Sequence, residues 1–335
     1  MDAGIQKRPH QFLPANCELS QWEGLEPYFK ALLDREITNK LTLESWLQDL
    51  SELEAFISED ACWRQIKMTC DTTDKSLEAA FTFFCMEIQP KIQPYADALN
   101  KKLIQCPFTN ELDEKEYFTY LRSVKKSIEL FREENITLQA ELSVLQQQYG
   151  TIAGRMTITV DDKEYTLQQA AQFLESEDRA KREEVYLKIQ DRRLQDQQEM
   201  HDLFTSLIQK RHQVALNAGF ENYRDYKFAE LGRFDYTKED CFKFHEAIKI
   251  HVLPIIDKIY ERKKNKLGLA TLKPWDTEAE PAGTKPLRPF TDGQDLFNKS
   301  VTCFEQINPF FADCLKKMDS LKHFDLESRQ GKAPG

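Results

Sequence analysis

The nearest approach to a catalytic arrangement in this sequence is His245-Glu246-Ala247-Ile248-Lys249-Ile250-His251. Metal-assisted hydrolysis commonly sets two imidazoles four residues apart on one helical face, with a glutamate between them to take a proton from water. Here the spacing is six, which on an ideal helix turns the second ring about 120° away from the first. The pair is therefore expected to be ordinary surface or boundary histidines. His201 and His212 would face the same way but about 16 Å apart along a helix, too far to share an ion. His10 lies in a loose N-terminal stretch. His323, Asp325 and Glu327 alternate with Phe324 and Leu326 as along a strand. A half-buried edge strand gives that pattern without any metal, and this is the expectation. No Gly-x-Ser-x-Gly elbow, Gly-x-x-x-x-Gly-Lys phosphate loop or Gly-x-Gly-x-x-Gly turn is present. Carboxylate pairs abound, but with 30% charged residues they read as solvated helix faces.

The elements that would have to position any site are helical. Leu43, Trp46, Leu47, Leu50, Leu53, Phe56 and Ile57 recur every three or four residues, the spacing of an amphipathic helix. A second helix runs through Leu77, Phe81, Phe84, Cys85 and Ile88, and Pro90 and Pro94 are expected to break or kink it. A third collects Tyr117, Leu121, Val124 and Ile128, and a fourth Ile136, Leu142, Leu145 and Tyr149. The period then changes. Met156-Thr157-Ile158-Thr159-Val160 alternates strictly, Asp161-Asp162-Lys163 supplies a turn and Glu164-Tyr165-Thr166 returns, which predicts one β-hairpin near 156–166. Residues 178–217 read as nearly unbroken helix ending at Gly219, and 237–266 and 296–321 as further helices. The Pro- and Gly-bearing stretch 267–292 is a long connection.

Composition narrows the function class. The chain has 335 residues, only 11 glycines and a formal net charge of -10. Nucleic-acid binders show a basic field, because affinity for phosphate comes from Lys and Arg displacing counterions. The one dense basic run, Arg262-Lys263-Lys264-Asn265-Lys266, suits the C-terminal end of a helix, so no nucleic-acid partner is expected. No apolar run approaches the roughly 20 residues needed to span a bilayer, so no membrane partner is expected either. Eight scattered cysteines without a Cys-x-x-Cys pair, behind an N-terminus without an apolar leader, predict reduced thiols and a cytoplasmic, soluble protein.

One segment is more particular than generic helix: Asn222-Tyr223-Arg224-Asp225-Tyr226 followed by Glu230-Leu231-Gly232-Arg233-Phe234-Asp235-Tyr236-Thr237. It resembles the oligoendopeptidase F-like zinc metallopeptidases, relatives of thimet oligopeptidase. Leu272-Lys273-Pro274-Trp275-Asp276, Phe324-Asp325-Leu326 and Ser328-Arg329-Gln330-Gly331-Lys332-Ala333-Pro334-Gly335 fit the same family in the same order, as does the early Trp22-Glu23-Gly24-Leu25-Glu26-Pro27-Tyr28-Phe29. The resemblance implies a mostly α fold: a helical, bilobed peptidase shell, with an N-terminal helical domain over 1–185 and the N-terminal part of the catalytic domain over 186–335. It also implies zinc in the complete enzyme and short peptides as substrates.

The family's His-Glu-x-x-His helix follows the Gly-Lys-x-Pro-Gly segment at which this sequence stops. The chain is accordingly expected to carry no catalytic or metal residues, to bind no zinc by itself and to be inactive alone. Ser328, Arg329, Gly331, Lys332, Ala333 and Gly335 match the strand and turn beside the family's cleft, where an extended peptide could pair by strand addition. Those glycines could equally serve only the turn. Tyr223, Tyr226, Arg233 and Tyr236 are expected to pack rather than touch substrate. Two other readings stay open: a non-catalytic helical binding or assembly protein, and half of a split peptidase whose second polypeptide supplies the zinc helix.

Overall fold

The computed structural model describes residues 9–284 and 287–334. These fall into two compact units, each discontinuous in sequence. The larger combines Pro9–Gly154, Gln197–Phe242 and 331–334; the smaller combines Arg155–Asp196 with Lys243–Gln330. The boundary expected near residue 185 falls within the helix Arg179–Gln195.

In the larger unit the long helix Lys40–Cys70 starts at a full capping box: Asn39 accepts from the Thr42 backbone and Thr42 from the Asn39 backbone. Such reciprocal bonds satisfy two amides that the first turn would otherwise leave open. Its apolar stripe is the core, with Leu43, Trp46 and Leu53 fully buried against Leu25, Leu32, Ile88, Leu99 and Leu103. The helices Glu134–Gly154 and Gln197–Asn217 pack together around a polar lock. Buried Asn135 donates to the Val214 carbonyl (3.0 Å) and accepts from Asn217 (2.8 Å).

The prolines expected to break the second helix do not end it. Helix Lys75–Phe83 passes through a π-turn, Phe84–Ile88, into helix Gln89–Gln105, with Pro94 inside. The Gln89 amide, just before Pro90, bonds the carbonyl five residues back at Phe84. The same device recurs at Pro254, where Leu253 bonds Ile248 across the π-turn Ile248–Val252 between helices Lys238–Ala247 and Leu253–Lys266. One widened turn absorbs the donor that proline lacks, so each helix continues. Two runs expected to be single helices are instead split. Asp196 interrupts 178–217, leaving Arg179–Gln195 and Gln197–Asn217. Asn308 separates Gly293–Ile307 from Pro309–Ser320, capping the second by accepting from the Phe310 amide.

The hairpin of the smaller unit is as expected: β1 (Thr157–Val160) pairs antiparallel with β2 (Lys163–Thr166), Thr157 opposite Thr166 and Val160 opposite Lys163. Asp161 and Asp162 take φ of 51° and 60°, as a two-residue turn between right-twisted strands requires. Ile158 and Val160 face inward, and β1 packs against helix Arg179–Gln195, whose buried residues include Val185 and Ile189.

No disulfide joins the described cysteines; Cys62 and Cys303 are exposed, whereas Cys85 and Cys106 are buried. Burial pushes the Cys85 thiol up to about 11. A thiol reagent applied to the native chain at pH 8 is expected to modify Cys62 and Cys303 quickly and to reach Cys85 and Cys106 only on unfolding. Mass mapping of the labelled peptides checks this; early labelling of Cys85 would contradict the packing.

Candidate functional site

Ser328 and Arg329 sit among elements of the smaller unit. The Ser328 hydroxyl lies 3.0 Å from the Thr166 hydroxyl at the end of β2, and its carbonyl accepts from the Gln169 side chain at 2.9 Å. Gln169 is placed by its own capping box with Thr166, which opens the short helix Leu167–Ala171. Arg329 forks onto the Asp325 carboxylate at 2.6 and 2.9 Å. Gln169 also lines a cleft of about 690 Å³ with Tyr165 and Phe173, whose rings meet edge to face, and with Glu164, Glu177 and Arg288. An apolar wall with charges of both signs suits a chain carrying backbone dipoles and mixed side chains.

Gly331, Lys332 and Ala333 lie in the larger unit. The Gly331 amide donates to the Gly154 carbonyl (2.9 Å), and its own carbonyl accepts from both the amide and hydroxyl of Thr72 (2.7 Å each). The Ala333 amide donates to the Thr69 carbonyl at 2.8 Å. Gly331 has φ +83°, the left-handed region that glycine adopts without penalty. The close approach its missing side chain allows is used inside the chain, since a Cβ there would sit 2.9 Å from the Thr73 methyl. Gly335 lies outside the described residues. The alternating run 323–327 forms no strand; Glu327 accepts from the Gly293 amide at the start of helix Gly293–Ile307.

Gly154 faces this segment from the end of helix Glu134–Gly154, and a Cβ on it would meet the Lys332 carbonyl oxygen at 2.9 Å. Gly154→Ala is expected to destabilise the larger unit by about 1–2 kcal/mol. The backbone clash, on the scale of 1–3 kcal/mol for overpacking, outweighs the roughly 1 kcal/mol that alanine gains in a helix. Equilibrium urea unfolding measures this, and a stabilised variant would show that residues 331–333 are not held against the helix end.

Of the four residues expected to pack, Tyr226 is buried and Tyr223 half-buried in the larger unit, whereas Arg233 and Tyr236 are exposed. Tyr226 is buried, its hydroxyl between Gln139 (3.4 Å) and Glu230 (3.3 Å), and Tyr223 lies beside it. The Arg233 guanidinium lies over Phe228, against which Tyr236 packs edge to face. Arg224, Asn222 and Lys238 together hold the Asp225 carboxyl well below the usual carboxylate range. Sequence reasoning missed Arg122. It stacks between Phe118 and Phe234 (5.1 and 4.3 Å to the ring centres) and forks onto Asp235 at 2.8 and 3.2 Å. An arginine 113 positions from its carboxylate carries no local signal.

His245 and His251 are exposed, one on helix Lys238–Ala247 and the other in the π-turn. Among the described residues no group of three or more His, Cys, Asp or Glu is placed to hold a metal ion. The side chains described do not fit a zinc site. Among these residues, too, no helix is long and apolar enough to cross a membrane.

The sequence model described as the Peptidase M3 N-terminal domain matches residues 12–131, and that described as Peptidase family M3 matches 172–302. No curated protein sequence matches the chain. Among solved structures it is similar to PZ peptidase A with an inhibitor, at TM-score 0.88 and 21% identity, over 100% of this chain and 58% of that one. It is similar to a protein described as an oligoendopeptidase F from Bacillus anthracis strain Ames, at TM-score 0.87 and 19% identity, over 99% and 59%. The match to oligoendopeptidase-F from Enterococcus faecium is looser, at TM-score 0.58 and 12% identity, over 93% and 68%. At these identities the likeness is one of fold. The chain spans about three-fifths of the length of the first two.

Proposed function

Because the chain belongs to peptidase family M3, we propose that it forms part of a zinc-dependent oligoendopeptidase that hydrolyses short peptides. The observation carrying this reading is the order of the two family matches: the N-terminal domain over 12–131 and the peptidase family over 172–302, in one chain whose whole fold follows a peptidase structure. In such an enzyme zinc lowers the pKa of a bound water so that hydroxide is available at neutral pH. This chain's contribution is binding and positioning. In the proposed arrangement a peptide lies along the cleft beside β2, its apolar side chains against Tyr165 and Phe173 and its charged ones near Arg288 or Glu177. Gln169, which lines the cleft, holds the Ser328 carbonyl at its rim.

With no metal donor set among its described residues, the chain is expected to leave peptides intact. Purified, supplied with zinc and given an internally quenched fluorescent peptide, it should show no turnover that a chelator abolishes. Chelator-sensitive cleavage by the purified chain would overturn that reading and place a metal site within it.

A further inference from the structure

We propose that the helices between 243 and 321 in the smaller unit form a docking surface for a polypeptide carrying the two-fifths of the peptidase fold that this chain does not span. The inference rests on the M3 reading and names the partner it needs. No residue of helices Lys238–Ala247 and Leu253–Lys266, or of the π-turn joining them, is buried. Yet Phe244, Ile250, Leu253, Ile255, Ile259 and Tyr260 are 46–64% exposed. At 100° per residue, Leu253, Ile255, Ile256, Ile259 and Tyr260 of helix Leu253–Lys266 share one apolar arc about 160° wide. Such a stripe is the face a helix turns to a core, yet no residue of this one is buried. Helices Gly293–Ile307 and Pro309–Ser320 also expose apolar side chains, with Ile307, Phe310 and Phe311 at 72, 51 and 45% exposure. So much open apolar surface marks a site of association. The occupant follows from the fold comparison. PZ peptidase A matches all of this chain with only 58% of its own, so the same fold there includes a further 42% of polypeptide.

The test is to produce this chain in one cell together with the part of PZ peptidase A that it does not match. A one-to-one complex is expected on size exclusion with light scattering. Amides of 253–266 and 293–307 should exchange at least tenfold more slowly than in the chain alone, while those of 40–70 keep their rates. Phe244→Lys with Ile255→Lys should leave the unfolding midpoint of the chain alone unchanged and cut complex recovery at least tenfold. Failure to form the complex, recovery unaffected by the double variant, or a homodimer that protects the same amides would each overturn the proposal. Complex formation is read without turnover. A complex that forms but cuts no peptide with zinc counts against the proposed function and leaves the docking surface standing.

Discussion

Asp276→Asn is expected to destabilise the protein by about 3–5 kcal/mol, the scale of breaking a buried charge pair by removing one partner. Asp276 is completely buried, and the Arg182 side chain that faces it is 4% exposed. One carboxylate oxygen accepts from Arg182 at 2.8 Å and from Arg179 at 3.1 Å. The other accepts from Arg179 and from the Lys273 amide at 2.9 Å each. Asparagine keeps the shape but replaces one acceptor with a donor that must face donors. Arg182 would retain the carbonyls of Trp275, Ser176 and Glu177 with no charge opposite it. The clamp joins the connection 267–292 to helix Arg179–Gln195, so its loss should loosen both. Urea unfolding followed by circular dichroism measures the cost, and a loss under 1 kcal/mol would mean that Arg182 finds water or another acceptor.

The same carboxylate sets an acid dependence. Burial by itself would raise it, but the hydrogen bonds from Arg179, Arg182 and Lys273 prevail and hold it at about 2. Its folded value thus lies below the unfolded one near 3.9. The linked stability, about 2–3 kcal/mol, is complete above pH 5 and lost as pH falls through 4 toward 2. The gap between native and Asp276→Asn proteins should narrow over that window; an unchanged gap at pH 2.5 would contradict the assignment.

What the sequence disclosed divides by range. Periodicity marked the helical core, because Leu43, Trp46, Leu50 and Leu53 each need the same buried side, and strict alternation around Asp161-Asp162 marked the hairpin. The break at Asn308 was readable in hindsight, since Asn followed by Pro is a helix start. Asp196 was harder. It ends its helix while taking Arg155 and Arg192 on its carboxylate, and nothing about an aspartate among helix formers announces that. The π-turns escape a reading that treats proline as a terminator, because the widened turn lies ahead of it. Neither Arg122–Asp235 nor Arg182–Asp276 follows any local pattern; each partner looks like one more charge in a charged chain. The tail 328–334 was read only through its likeness to a family, and the strand expected there does not form among the described residues. That Gly154 is small to let the Lys332 carbonyl close in is a fact of packing, visible only once both ends are placed.

Trp46→Ala should cost the larger unit about 3–5 kcal/mol, as truncations of buried large aromatics do. Trp46 is fully buried beneath helix Glu26–Asp34, and its indole nitrogen donates to the Leu32 carbonyl at 2.9 Å. That carbonyl is one of the last in the helix and has no amide above it to bind. Lys102 serves the same end, donating to Leu32, Leu33 and Arg35 at 3.0, 2.7 and 2.5 Å. Burial lowers the Lys102 ammonium, and the ring of Trp46 lies 5.9 Å from it. The alanine variant loses indole packing, one hydrogen bond and the face against which the cation rests. Trp46→Phe separates these contributions. It keeps most of the volume and leaves Leu32 to Lys102 alone, so its cost should be about 1–2 kcal/mol, close to one lost hydrogen bond plus a small void. Thermal or urea unfolding of both variants decides the point. If phenylalanine costs as much as alanine, the indole hydrogen bond rather than the packing holds the end of helix Glu26–Asp34 in place.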